Sequence, residues 1–378
     1  MSALERKRPL AALVAILALA AFFRFYLIPD IPPGLYPDEA ANGNNAVEAL
    51  RTGGFKVFYP ENNGREGLFI NLQAGAIQLF GAKPWALRVV SAIIGTLSVL
   101  GIYLAGKEIT GRTPVALLSS FFLATSFWHI NFSRIGFRAI MLPFLAVFGM
   151  YWLLKALRTG KISSTLAAGI ATGLGFYTYL GFRFMPFVLA VPLVYALVRW
   201  VRSRREPSIS MVYTIDIDGL PTTSRGRSAD TAATPCIPCI TALFLFVALV
   251  VALPIGLYFL EHPADFVGRS GQVSIFSAGS PLAEFAKSNL LTFGMLNIRG
   301  DCNPRHNLDC QPQLFWPVGI LFLIGAALTA RDLFLKPLSP APYILFAWIF
   351  FMSLPATLTR EGLPHALRAI GMLPPVML

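Results

Sequence analysis

The sequence predicts an all-α polytopic membrane protein. Three observations carry that prediction. Of 378 residues, 55% are apolar and only 13% are charged, the mean hydropathy is +0.63, and apolar runs of spanning length recur along the chain. A soluble domain carries roughly 25% charged residues, and surface-to-volume scaling leaves it no way to bury so much apolar surface. A disordered chain is excluded as well, because such chains are poor in aromatics and aliphatics. The formal charge of +12 is therefore read against a bilayer, and no nucleic-acid partner is expected.

A spanning helix needs about 20 mostly apolar residues. Such runs occupy 9–28, 86–106, 114–132, 139–155, 163–181, 184–200, 236–258, 315–330 and 341–357, with a last one starting near 367, so about 9–10 spans are expected. The first follows Arg6, Lys7 and Arg8. Its apolar stretch is long and lacks a small-residue cleavage site, so it reads as an anchor rather than a signal peptide. The last run stops at Leu378 after about eleven residues, too few to span, so the chain is expected to be truncated. Residues 67–81 are short and carry Asn71, Gln73 and Gln78, which suits an interfacial or re-entrant helix.

Charge supports that choice. With the N-terminus inside and 67–81 not crossing, the cytoplasmic loops hold Lys107 and Arg112, then Lys155, Arg158 and Lys161, then Arg199, Arg202, Arg204 and Arg205, and finally Arg331 and Lys336. That is the positive-inside pattern. Twelve of the nineteen acids and all four histidines then fall on or at the edge of the outer face, so function is expected there. The chain reads as a single transmembrane domain over 1–378, with a first outer loop at 28–85, a cytoplasmic loop at 201–235 and a large outer loop at 259–314. The cytoplasmic loop is rich in Ser, Thr, Arg and Gly, reads as flexible with a short hairpin near 213–217, and is assigned no chemistry. Cys236 and Cys239 open an apolar run with no second ligand pair, which argues against zinc. Cys302 and Cys310 bracket a polar loop; they pair if it faces an oxidising compartment, and two thiols are the equal alternative.

The first outer loop carries the sharpest signal. Prolines 32, 33 and 37 predict an extended approach, after which Asp38 and Glu39 open a helix that Gly53 and Gly54 end. Asp38 thus sits at a helix N-terminus, where backbone N–H groups and the dipole favour a negative side chain. An N-cap role alone is the bland explanation, but a cap needs no second acid beside it. Arg65 and Glu66 close the loop. The second outer loop brings His129, Arg134 and Arg138, the two arginines at a spacing that shares one face if the stretch is helical. Tyr179 and Arg183 follow in the third, Asp301, Arg305 and His306 in the large loop, and Glu361, His365 and Arg368 in the last. Arginine at membrane depth is costly and usually meets an anion, and its planar guanidinium suits phosphate. A carboxylate beside such cations can act as a general base on a hydroxyl. The pattern describes a phosphate-bearing lipid headgroup held beside one or two working acids.

Several motifs sharpen this. They are Y-P-D-E at 36–39, G-R-E-G-L-F at 64–69 with L-F-G at 79–81, W-A-L-R-V-V-S-A-I-I-G at 85–95, the S-R of the second outer loop and P-H-A-L-R-A-I-G at 364–371. Together they resemble the GT-C glycosyltransferases, in particular bacterial relatives of the dolichyl-phosphate-mannose–protein mannosyltransferases and of the lipid A aminoarabinose transferases. The resemblance implies inverting transfer of a sugar from a polyprenyl-phosphate donor to a protein, lipid or glycan acceptor hydroxyl on the outer face of a bacterial plasma membrane. It implies Asp38 as base, Glu39 in support and Glu66 as a second loop acid, with juxtamembrane helices in the first outer loop. Where many relatives carry an acid just past the S-R, this chain has Gly136, Phe137, Arg138, Ala139, Ile140, Met141 and Leu142. A two-acid metal site is therefore not expected. No cofactor is demanded: a divalent cation is compatible with the sequence but not required. The competing readings are a polytopic transporter, which wants charges near the midplane, and a lipid-linked-glycan ligase or polymerase.

Overall fold

Prolines and glycines set many of the helix boundaries. Proline loses nothing in a first turn, where its N–H would be unpaired anyway, and glycine accepts the left-handed turn that closes a helix. The computed structural model describes residues 3–205, 235–336 and 338–378. In it, α1 (Ala3–Phe25) leads to α2 (Pro37–Thr52), which begins on its proline and ends at Gly53 with φ of 70°. The approach to α2 is a series of turns and bends with a cis Ile31–Pro32 peptide, not an extended segment. An antiparallel hairpin follows, in which β1 (Phe58–Tyr59) pairs with β2 (Arg65–Glu66). Next come α3 (Gly67–Phe80), α4 (Pro84–Thr110), α5 (Thr113–Thr125) and α6 (Phe127–Arg134). The chain continues through α7 (Met141–Thr159), α8 (Ile162–Gly175), α9 (Met185–Arg205) and α10 (Ile237–Glu261). Two helices, α11 (Pro263–Gln272) and α12 (Pro281–Asn297), fall in the segment read as the large outer loop. The described chain ends with α13 (Trp316–Leu335), α14 (Pro340–Thr357) and the short α15 (Leu373–Met377).

Among the described residues, seven helices are long and apolar enough to cross a membrane, and eight if α5 and α6, bent by 56°, form one span. The run at 163–181 is the fourteen-residue α8, whose reach of about 21 Å falls short of the ~30 Å hydrocarbon core. Its hairpin with α7 still returns the chain to the end where α7 began, because Tyr179 and Arg138 line one cavity. The run near 367 is not a spanning helix: it is a 3-10 turn and α15, buried among α5, α7 and α14. Helix α3 buries Phe69, Ile70, Ala74 and Ile77 against α2 and α4 and leaves Leu72, Leu79 and Phe80 exposed. It is fourteen residues long and buries one side.

Helices α4, α7 and α8 form the middle of the bundle, with α10 laid against α8. Close approach of α8 to α10 depends on Gly169 and Gly173, one turn apart on one face. A Cβ at Gly169 would stand 3.0 Å from the Phe244 carbonyl oxygen, and one at Gly173 would stand 2.8 Å from that of Ala248. Such small-residue pairs are how helices associate in lipid, where the hydrophobic effect gives no drive. Residues 206–234, including the hairpin expected at 213–217, lie outside the described residues. Cys302 and Cys310 form a disulfide, and so do Cys236 and Cys239 at the start of α10, a pairing the sequence reading did not anticipate.

Candidate functional site

The segments read as outer loops converge at one end of the bundle. There they enclose a cavity of about 640 Å³. Its polar wall includes Asp38, Asn62, Glu66, Arg138, His365 and Arg368, and its apolar flank includes Phe58, Phe184, Phe266, Phe276, Leu354 and Leu358. A ligand that fits both walls is an amphiphile with an anionic or polyhydroxyl head and an apolar tail.

Asp38 stands in the first turn of α2 and is half-exposed. Its two oxygens are held from opposite sides: Asn62 Nδ2 donates to Oδ1 at 2.9 Å, and Arg305 Nη1 donates to Oδ2 at 3.2 Å. Asn62 is in the hairpin turn and takes positive φ (53°), as does Asn63 (66°), a conformation asparagine tolerates. The hairpin thus brings a donor to Asp38 and places Glu66 on the cavity wall. Glu66 accepts from Arg138 Nε at 2.9 Å, and that guanidinium lies 5.6 Å from the Tyr179 ring centre. Arg183 also lines the cavity; it donates to the Phe266 carbonyl at 2.8 Å and stacks 3.9 Å over the Phe266 ring. From the last loop, Arg368 Nη1 donates to Thr359 Oγ1 at 2.8 Å and to the Glu361 carbonyl at 2.9 Å. Glu361 thereby contributes its backbone, while the residue itself is exposed.

Four of the expected site residues are engaged elsewhere. Glu39 is fully buried; Arg88 Nε donates to its Oε1 at 2.9 Å and Arg88 Nη2 to its Oε2 at 3.2 Å, while the Tyr36 and Gly136 backbone N–H groups donate at 3.0 and 2.8 Å. Its hydrogen-bonding capacity is filled, so it fixes the start of α2 instead of facing the cavity. Arg65 is buried beneath the hairpin, where it donates to Asn42 and Asn45 of α2 and to the Glu61 carbonyl. Burial pushes its pKa below the ordinary arginine value, and the charge of Arg138 acts in the same direction. His129 is fully buried, its Nδ1 2.7 Å from Arg24 Nη2 of α1. Arg134 donates to the carbonyls of Phe23, Tyr26 and Ile31 and so closes the C-terminal end of α1. Arg134 and Arg138 do not share a face, because α6 ends at Arg134 and the chain is extended at Ile135 and Phe137 before Arg138.

Asp301 and His306 lie just behind the wall, both buried, with Asp301 Oδ2 2.7 Å from His306 Nδ1. The same oxygen accepts from the Ala366 N–H at 2.8 Å, which ties the disulfide-bounded loop to the last loop. The His306 ring packs at a tilt against that of His365, 4.8 Å between centres. A metal held between Asp38 and Glu66 of the first outer loop does not fit, since Asp38 faces Asn62 and Arg305 and Glu66 is matched to Arg138. Sequence reasoning missed Arg88 and Arg24. Both are charges inside apolar runs, and the cost of such a charge is itself a signal that a buried partner awaits it.

Residues 68–217 match the family described as dolichyl-phosphate-mannose-protein mannosyltransferase. Over 218 residues the chain is 25% identical to the Bacillus subtilis (strain 168) protein named "Putative mannosyltransferase YkcB", covering 55% of this chain and 29% of that one. The fold is similar to the oligosaccharyltransferase AglB of Archaeoglobus fulgidus, solved with an inhibitory peptide and a dolichol-phosphate, with a TM-score of 0.57 and 16% identity over 100% of this chain and 50% of that chain. It is equally similar to ArnT of Cupriavidus metallidurans bound to undecaprenyl phosphate, with a TM-score of 0.58 and 16% identity over 96% of this chain and 59% of that chain. The chain therefore spans between about a third and about three fifths of the length of these proteins. Residues 68–217 are thus similar to that mannosyltransferase family, and the fold of the chain is similar to those of AglB and ArnT.

Proposed function

We propose that the chain carries the donor site of a glycosyltransferase that moves a sugar from a polyprenyl-phosphate carrier to an acceptor hydroxyl. The observation that carries the proposal is the two-sided cavity, in which Asp38 stands beside the arginine-bearing wall and faces an apolar flank. An isoprenoid tail fits the flank, and arginine forks suit the phosphate. The two solved relatives hold dolichol-phosphate and undecaprenyl phosphate, which supports the same class of carrier here.

In this reading Asp38 takes the proton of the acceptor hydroxyl as the hydroxyl oxygen bonds to the anomeric carbon. The bond from that carbon to the carrier phosphate breaks on the opposite face, so the configuration inverts. The phosphate leaves with the bonding pair; Arg138 and Arg368 of the cavity wall, with Arg305 beside Asp38, hold its charge in this reading. The positive-inside pattern supports a cytoplasmic N-terminus with this cavity on the outer face. The test supplies purified protein in lipid with a polyprenyl-phosphate-linked hexose or the matching nucleotide sugar, beside acceptor peptides, lipids and glycans. Label should transfer from the lipid-linked donor alone; transfer from the nucleotide sugar instead would contradict the reading.

A further inference from the structure

We propose that Asp301, His306 and His365 form a binding site for a divalent metal ion of the zinc class. Each residue offers one ligand atom, and the three atoms lie within 4.8 Å of one another. Asp301 and His306 are nearly fully buried, and His365 is half-buried on the cavity wall. Two imidazoles and a carboxylate are a donor set that zinc accepts, at about 2.0–2.2 Å per bond. Tetrahedral ligands at those lengths stand about 3.3 Å apart, so the site closes by a modest movement, which a rotation of the half-buried His365 can supply.

The surroundings hold these donors in place. Asp301 immediately precedes the Cys302–Cys310 disulfide, and its Oδ1 accepts from the Asn303 N–H at 2.8 Å. Its Oδ2 accepts from Ala366 N–H, beside His365, and the Ala366 carbonyl in turn accepts from Trp128 Nε1 at 3.1 Å. Both loops are therefore fixed to each other and to the bundle before any ion arrives. Three protein ligands with room for a fourth is the pattern of reactive zinc centres, structural ones being closed by four. His365 places that fourth position at the cavity edge, where an anionic oxygen of the phosphate class can complete it. This last use rests on the proposed donor; the metal site itself does not.

The test uses the full chain in detergent, stripped with chelator and titrated with Zn²⁺ or Co²⁺. One equivalent should bind, cobalt should show the visible absorption of a low-coordinate nitrogen–oxygen site, and zinc should raise the thermal midpoint. His365→Ala should weaken binding by more than the roughly 10–100-fold that loss of an outer-shell partner costs. His306→Gln should do the same, and if it fails to fold, the half-buried His365 decides. His262→Ala, at an exposed histidine, should bind as the wild type does. Asp38→Asn should also bind normally, so failure of sugar transfer and failure of the metal site are read separately. A folded wild-type chain that takes up no equivalent of either metal, or a His365→Ala chain that binds equally well, overturns the proposal.

Discussion

At the scale of single residues, the acids of the first loop divide their labour by burial. Glu39 is sealed in the bundle with Arg88, and Asp38, one position earlier, is half-exposed beside the cavity. Removing one member of a buried pair leaves the other charge without compensation, which costs about 3–5 kcal/mol. Arg88→Met and Glu39→Gln should each lower the unfolding midpoint strongly, and the double variant should lose less than the sum; additive losses in a double-mutant cycle would contradict this pairing. Arg305 is a different case, because a half-exposed ion pair contributes at most about 1 kcal/mol to stability. Arg305→Ala should leave the midpoint nearly unchanged and weaken donor binding, checked by titration with a short-chain polyprenyl phosphate. Residue types in the sequence made Asp38, Glu66, Arg138, Arg305 and His306 legible as a group, because acids and cations on one face must meet. Their exact partners were not legible. Arg134, His129 and Arg65 carry the same residue chemistry, and only three-dimensional packing turns them toward carbonyls and amides of neighbouring helices.

At the scale of elements, length and apolarity located the spans, and proline and glycine their ends. The exceptions have physical causes. The run at 163–181 was counted as a span by its apolar length, yet helix α8 within it has only fourteen residues and holds its place through the glycine contact with α10. A bulky side chain at Gly169 would strike backbone as well as Val247, and overpacking of this kind costs about 1–3 kcal/mol. Gly169→Val should therefore lower the thermal midpoint, while Gly256→Ala, where no atom lies within 4 Å of the added carbon, should leave it unchanged or raise it. Equal effects at both positions would show that the α8–α10 contact is not glycine-dependent. The short run near 367 was read as part of a spanning helix on apolarity alone. Its residues are apolar because they are buried in the bundle, between Met352 of α14 and Gly106 of α4, and not because they face lipid.

At the scale of the whole molecule, the charge excess sorts into two populations. Of 31 basic residues, 16 fall in the N-terminal tail and the loops read as cytoplasmic, where the proposed orientation needs them. Others surround the acids of the cavity. Membrane-impermeant thiol labelling tests this sorting: Asn63→Cys, in the hairpin turn, should react from outside intact cells, and Ser203→Cys, exposed at the end of α9, should react only after permeabilisation. Fold class was legible in composition and hydropathy, since these are sums over many residues. Cavity shape was not, because it depends on which loops meet. The central claim is that Asp38 is the base of a transfer from a lipid phosphate, and single-turnover transfer by Asp38→Asn tests it most directly. General-base catalysis contributes about 10²–10⁴-fold, so the account predicts a rate loss of that order in a folded protein that still binds polyprenyl phosphate. A variant that binds the carrier and transfers sugar at the wild-type rate would contradict it.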